Sequence, residues 1–300
     1  MKAVFLGTPR FAVPSLERMV AAGHEVVAVF TQPDRPRGRE QKHEAPPVKE
    51  VAMRLGIPVH QPEKVRQTEV VEQLRALAPE VMVVVGYGQI IPQAILDIPS
   101  QGIINVHASL LPKYRGAAPI QWAIAHGETR TGVTTMRIDA GLDTGDMLLK
   151  WETEIGPEET AVDLSERLAP AGADLLVRTL AELPGIMPEP QDDSQATYAP
   201  MLKKEDGHID WTLPPREILN RIRGFVPWPG CYGFLRGQRF HIWKAAVADA
   251  GFPPGALRSV NRRLYAGSIE LLEVQLEGKK RMPAGAFLNG YPLRGDEVLE

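Results

Sequence analysis

Four near-continuous apolar runs, KAVFLG at 2–7, EVVAVFT at 25–31, VMVVVGYG at 81–88 and GIINVHA at 102–108, are separated by helix-like segments such as PSLERMVAAG and TEVVEQLRALAP. Runs without polar alternation belong to strands covered on both faces, so the pattern predicts βαβ repeats on a parallel, doubly wound sheet over residues 1 to about 110. TGVTTMRID at 131–139 alternates more, and DMLLKWETEI at 146–155 follows after a turn, which predicts that the sheet ends in antiparallel strands. AVDLSERLAPAGADLLVRTLAEL at 161–183 reads as a helix with a break or kink at Pro170, because proline lacks the N–H and crowds the preceding turn.

From 184 to 200 the sequence PGIMPEPQDDSQATYAP carries four prolines and little periodicity, the mark of a linker. Beyond it GHIDW, CYGFLRGQRFHIWKAAV, PPGALRSV, RLYAGSIELLEVQLEG and KKRMPAGAFLNG read as short strands punctuated by Gly and Pro. Many short strands in so little chain predict a small OB-like β-barrel. The fold class is therefore α/β: a Rossmann-like, mostly parallel sheet domain (1–189), a linker (190–207) and an OB-like β-barrel domain (208–300).

Composition narrows this picture. A chain of 300 residues, 44% hydrophobic and 24% charged, is an ordinary globular protein, and its start offers too short an apolar run for a secretory signal. No stretch is long and apolar enough to span a membrane, so a cytoplasmic protein is expected. Cys231, the only cysteine, excludes an internal disulfide framework and reads as a small, partly buried side chain. The net charge of -3 hides an asymmetry: residues 201–300 hold 15 Lys and Arg against 11 Asp and Glu, whereas residues 1–200 are at -7. A positive C-terminal third on an acidic chain hints at a polyanionic partner.

The chemistry gathers in INVHASLLPKYRGAAP at 104–119. Asn105 and His107, two apart in a strand, point to one face while Val106 points to the other, and a stiff turn follows. The first βα turn, GTPRFAVP, has Gly7 but lacks the later glycines of a dinucleotide fingerprint and any P-loop lysine, which disfavours a nicotinamide or ATP site. No Ser or Cys stands at a nucleophile elbow, and no metal-ligand spacing is present. The loop DAGLDTGD at 139–146 supplies Asp139, Asp143 and Asp146, any of which suits a carboxylate beside His107. Both loops are expected beyond the carboxyl ends of their strands, where open α/β sheets bind ligands. An amide to meet a developing oxyanion, an imidazole and a carboxylate to hold it fit direct acyl transfer between two bound substrates.

FLGTPRFAVPSL, VFTQPDRPRGR, VVVGYGQIIP, INVHASLLPKYRGAAPIQWAI, TGVTTMRIDAGLDTGDML and IRGFVPWPG, taken in order over nearly the whole chain, resemble the methionyl-tRNA formyltransferases of the 10-formyltetrahydrofolate-dependent superfamily. The resemblance implies a cytoplasmic, monomeric enzyme that moves a formyl group from 10-formyltetrahydrofolate to the α-amine of initiator methionyl-tRNA, without a metal. It places the catalytic residues at Asn105, His107 and Asp143. It lines the folate cleft with Val85, Gly86, Tyr87, Gly88, Ser109, Leu110, Leu111 and Pro112, and with Asp139, Ala140, Gly141 and Leu142. It assigns tRNA contacts to Arg39 and Lys42 in a basic loop that enters the acceptor stem, and to the C-terminal barrel; Lys203 and Lys204, just past the linker, read as surface lysines able to touch backbone phosphates. GREQKHE departs from relatives in adding Glu40 and Glu44 to that loop. Trp228, between two prolines, is expected in the core of the small domain.

Overall fold

In the computed structural model, which describes residues 1–37 and 42–300, the apolar runs become strands. They are β1 (Lys2–Gly7), β2 (Glu25–Phe30), β5 (Val59–His60), β6 (Val81–Val85) and β7 (Ile103–His107), followed by β8 (Arg130–Arg137) and β9 (Met147–Glu154); β3 (Arg35–Arg37) and β4 (Lys42–Glu44) form a separate hairpin. The seven-stranded sheet has the order β5-β2-β1-β6-β7-β8-β9. The pairs β2–β5, β1–β2, β1–β6 and β6–β7 are parallel, and β8 runs antiparallel to β7. Every residue of β6 and β7 is buried, which is why their sequences show no polar alternation. Helices α3 (Thr68–Leu77) and α4 (Gln93–Leu96) cover one face, packing Val70, Val71, Leu74 and Ile95 with Val4, Leu6, Phe30, Met82 and Val84. Helices α1 (Val13–Ala21) and α2 (Pro47–Arg54) complete the crossovers.

The long helix α6 (Ala161–Glu182) runs through Pro170 without interruption, so of the break or kink expected from sequence the break is not made. Pro170 lies on the exposed side, so the carbonyl that loses its partner one turn earlier is left to water rather than buried. On its inner side Gly172 allows close approach to the sheet: a β-carbon there would lie 3.1 Å from Val106 and 3.3 Å from Val133.

The chain divides into two compact units. One comprises Met1–Pro119, Arg130–Thr153 and Ser165–Pro200; the other Ile120–Thr129, Glu154–Leu164 and Met201–Glu300. The second unit is built on β10 (Cys231–Leu235), β11 (Gln238–Val247), β12 (Leu257–Val260), β13 (Arg263–Ala266) and β14 (Ile269–Leu276), in the order β10-β11-β14-β13-β12, with β15 (Met282–Pro283) on β14. The segment 297–300 joins the two outer strands. Glu300 and Phe234 exchange N–H···O bonds of 2.8 and 3.1 Å, Leu299 donates to Gly255 at 2.8 Å and Leu257 donates to Glu297 at 2.9 Å. These bonds curl the sheet toward the expected OB-like barrel.

Three details of the second unit differ from the sequence reading. GHIDW is no strand and makes only an isolated bridge between His208 and Tyr232. KKRMPAGAFLNG yields a two-residue strand and then helix α8 (Ala284–Gly290), which buries Ala284 and Phe287 three residues apart. Trp228 is 53% exposed, because the core position falls to Phe225, fully buried after helix α7 (Pro215–Gly224) and edge-on to Trp122 of α5 (Pro119–Ala125) at 5.2 Å.

Candidate active site

β7 presents Asn105 and His107 on one face, 8% and 6% exposed, while Val106 turns the opposite way onto Gly172 of α6. His107 Nε2 lies 2.9 Å from the Tyr114 carbonyl oxygen. A carbonyl only accepts, so Nε2 carries the proton, and in the neutral ring Nδ1 holds the lone pair. Nδ1 stands 3.7 Å from Asp143 Oδ2. The Asn105 side-chain amide donates to Asp143 Oδ1 at 3.2 Å, and the Gly116 N–H donates to Oδ2 at 2.9 Å. Of the three candidate carboxylates, Asp143 is therefore the one brought to the pair. Asp139 is tied up locally, accepting from the Gly141 N–H at 3.0 Å and from the Thr144 hydroxyl at 2.7 Å.

The route by which Asp143 arrives is not the one expected. β8 is antiparallel to β7, with Ile104 opposite Arg137 and His107 opposite Thr134, so the chain leaves β8 beside the amino end of β7. Residues 138–146 double back, and Asp143 reaches Asn105 with its own backbone left-handed at φ 52°. The two loops thus meet over the face of β7 and not beyond two carboxyl ends.

The other expected cleft residues separate into buried supports and accessible surface. Ser109 and Leu111 are fully buried; the Ser109 hydroxyl donates to the Lys113 carbonyl at 2.6 Å, and Leu111 packs with Met136 and Met147. Thr134 binds this turn from β8, donating to the Ser109 carbonyl at 2.7 Å and accepting from the Leu111 N–H at 3.2 Å. Leu110 and Pro112 remain half-buried. Val85 and Tyr87 turn inward, and burial pushes the Tyr87 hydroxyl up to about 12. The Tyr87 carbonyl accepts from the Thr8 hydroxyl at 3.2 Å and from Gln32 Nε2 at 3.0 Å, stitching together the turns after β1, β2 and β6. What this loop exposes is backbone at Gly86 and Gly88, both at positive φ. Asp139, Ala140, Gly141 and Leu142 are exposed, Leu142 at 60%.

Sequence reasoning missed the supports of Asp143. Arg115, 2% exposed, directs Nε to Gln191 Oε1 at 2.9 Å and Nη2 to Asp193 Oδ1 at 2.8 Å. Gln191 in turn donates to the carbonyls of Asp143 and Gly145. Thr197 and Ala199 bond the backbone of Tyr114 to Ala118. Arg115 in the turn SLLPKYRGAAP was the available signal; a glutamine in a polar, proline-rich stretch carries none.

Of the residues assigned to RNA, Arg39 lies outside the described residues. Lys42 opens β4. Lys203 and Lys204 are exposed on the second unit. Cys231 is fully buried rather than partly so, and burial pushes its thiol up to about 12, which leaves it inert. Among the described residues no three His, Cys, Asp or Glu side chains converge as a metal set would, and no helix is long and apolar enough to cross a membrane.

Residues 1–180 match the formyl transferase family model, and residues 201–292 match the formyl transferase C-terminal domain. With the sheet topology and barrel described above, this defines the class: the chain belongs to the formyl transferases. Solved structures of like fold include the N-formyltransferase from Helicobacter canadensis in complex with folinic acid and dTDP-3-aminofucose (TM-score 0.67, 19% identity, 94% of this chain and 100% of that one). HypX from Aquifex aeolicus in complex with tetrahydrofolic acid is also alike (TM-score 0.62, 16% identity, 96% of this chain and 47% of that one). Among curated proteins, methionyl-tRNA formyltransferase of Solibacter usitatus (strain Ellin6076) is 62% identical over 306 residues, covering 100% of this chain and 98% of that protein. That of Koribacter versatilis (strain Ellin345) is 58% identical over 299 residues, covering 97% and 96%. Within the class, the chain belongs to the methionyl-tRNA formyltransferase family.

Proposed function

We propose that the protein transfers the formyl group of 10-formyltetrahydrofolate to the α-amine of methionine on initiator methionyl-tRNA, acting as a monomer in the cytoplasm. The observation that carries the reading is the convergence of Asn105, His107 and the Gly116 N–H on the Asp143 carboxylate, in a chain 62% identical to a methionyl-tRNA formyltransferase.

The reaction joins an amine to a formyl carbon and expels a folate nitrogen, so charge develops on the formyl oxygen and a proton must leave the amine. Asn105 spends one amide N–H on Asp143 and has a second to offer the oxyanion. His107 keeps its proton on Nε2 and presents a free Nδ1 lone pair as the acceptor for the amine's proton. The imidazolium so formed has the Asp143 carboxylate 3.7 Å away to balance it. No residue of the triad needs to form a covalent intermediate.

The folate fits the accessible surface. Exposed backbone at Gly86 and Gly88, free of β-carbons, lets a flat heterocycle approach closely, and Ala140 to Leu142 offer apolar surface for it to cover. Ser109, Leu111, Val85 and Tyr87 act as buried supports of that cleft, with Leu110, Pro112 and Asp139 at its margin. The barrel with Lys203 and Lys204, and the Arg39–Lys42 loop, are assigned to the tRNA.

The direct test supplies 10-formyltetrahydrofolate with methionylated initiator tRNA, uncharged tRNA or an amino sugar nucleotide. Formylation of the charged tRNA alone is expected; preferential formylation of the sugar overturns the reading.

A further inference from the structure

We propose that Gln191 and Arg115 are positioning residues, which hold Asp143 within reach of Asn105 and His107; the inference rests on the formyl-transfer reading of this site. The loop 138–146 has to double back from the amino end of β7, and Asp143 sits in it at φ 52°, a region that non-glycine residues populate sparsely. The carboxylate itself is engaged with Asn105 and Gly116. What fixes the backbone beneath it is the Gln191 amide, whose two N–H groups go to the Asp143 carbonyl at 2.8 Å and the Gly145 carbonyl at 2.7 Å.

Gln191 is itself held. Its Oε1 accepts from Arg115 Nε at 2.9 Å, and the same guanidinium reaches Asp193 at 2.8 Å. Arg115 stands between Tyr114, whose carbonyl meets His107 Nε2, and Gly116, whose N–H meets Asp143. The backbone around it is clamped by the same segment: the Arg115 N–H donates to the Thr197 carbonyl at 2.9 Å and the Ala199 N–H donates to the Arg115 carbonyl at 2.7 Å. One hydrogen-bonded chain thus sets both neighbours of the imidazole, the acceptor at Nε2 and the carboxylate at Nδ1. The stretch 189–199, inside the segment 184–200 whose prolines mark a linker, is a strap laid along the first unit.

The test separates positioning from bulk stability. Gln191→Glu keeps the side-chain length and still accepts from Arg115, but has no N–H for the two carbonyls; Gln191→Met is as long and uncharged. Both variants are expected to lower kcat about 10- to 50-fold, the scale of a small misplacement of a catalytic group, with KM for formyl donor and for methionyl-tRNA within about threefold. In single turnover, Gln191→Glu added to Asp143→Asn is expected to cost nothing further, because the effect runs through Asp143. Hydrogen exchange of a peptide covering 139–146 is expected to be faster in both variants. Wild-type kcat in both, an equal loss in the Asp143→Asn background, or unchanged exchange overturns the proposal. If the wild-type protein does not formylate methionyl-tRNA, the formyl-transfer reading fails by itself, and the exchange measurement still decides whether Gln191 holds the loop.

Discussion

The Gly116 N–H donates to the Asp143 carboxylate at 2.9 Å, from a backbone at φ 120° that side-chain-bearing residues rarely adopt. A β-carbon on Gly116 would also stand 2.6 Å from the Ala199 carbonyl oxygen, a backbone atom of the strap and not a flexible side-chain tip. Gly116→Ala must therefore move one backbone or the other, and either movement withdraws the N–H from Asp143. Turnover is expected to fall roughly 10- to 100-fold with a stability loss of about 2 kcal/mol. Steady-state kinetics beside a thermal melt checks this; a folded variant with wild-type turnover shows that the contact has no part in catalysis.

Asn105→Ala removes the proposed oxyanion donor and is expected to lower turnover by roughly 10² to 10³. His107→Ala should cost at least as much. Asp139→Asn is the contrast: its carboxylate serves only the Gly141 N–H and the Thr144 hydroxyl, and an asparagine oxygen can still accept from the N–H, so the change should stay within a few-fold. Comparable losses from Asp139→Asn and Asp143→Asn would mean that the loop, and not one carboxylate, carries the activity.

How much of this was legible in the sequence follows from which interactions are local. The strands of the parallel sheet announce themselves because both faces are buried, and Asn105 and His107 share a face by the two-residue period of a strand. What sequence does not reveal is long-range: Gln191 and Arg115 are 76 positions apart, and only the fold shows that they touch. Pro170 does not break α6, because its cost depends on which side of the helix faces water. Trp228 was misread because Phe225, three residues earlier, takes the buried place. The Gly-containing AGAFLNG reads as part of a short strand until packing of Ala284 and Phe287 makes it a helix. The folding back of 138–146 conflicts with placing both loops beyond carboxyl ends: antiparallel strands at the end of the sheet, themselves expected, deliver this loop beside the amino end of β7.

The second unit offers a pH test. Burial pushes the Glu297 carboxyl up, but the Arg294 N–H at 2.7 Å, the Arg236 guanidinium and the Gly295 N–H at 2.9 Å outweigh it and hold the group down at about 2. An unfolded glutamate titrates at 4.5, so the folded state binds fewer protons between these values. The stabilisation is complete above about pH 4.5 and is lost as pH falls toward 2. Glu297→Gln is expected to cost about 2 kcal/mol near neutrality. Melts of wild type and variant should converge as acid protonates the carboxyl; a gap that stays constant down to pH 2 assigns the effect to packing instead.

The basic residues are proposed to make two kinds of RNA contact, which a salt series would separate. Contacts to phosphate supply affinity without sequence information, whereas contacts to base edges or to a deformed end of the acceptor stem supply selection. Lys203 and Lys204, exposed side by side in the C-terminal third that carries the excess positive charge, residues 201–300, are proposed for the first kind. Replacing both by Ala is expected to weaken initiator and elongator methionyl-tRNA alike and to lower the salt slope by about two counterions. Arg39, in the loop that the resemblance assigns to the acceptor stem, is proposed for the second kind. Arg39→Ala is expected to raise KM selectively for initiator methionyl-tRNA, narrowing its preference over the elongator, with a slope change near one counterion. Binding and kinetics for the two tRNAs across a salt series measure both quantities. If Arg39→Ala weakened the two tRNAs equally while the double lysine variant lost discrimination, the division would be reversed, and the added Glu40 and Glu44 would mark a loop that recognises the acceptor stem differently.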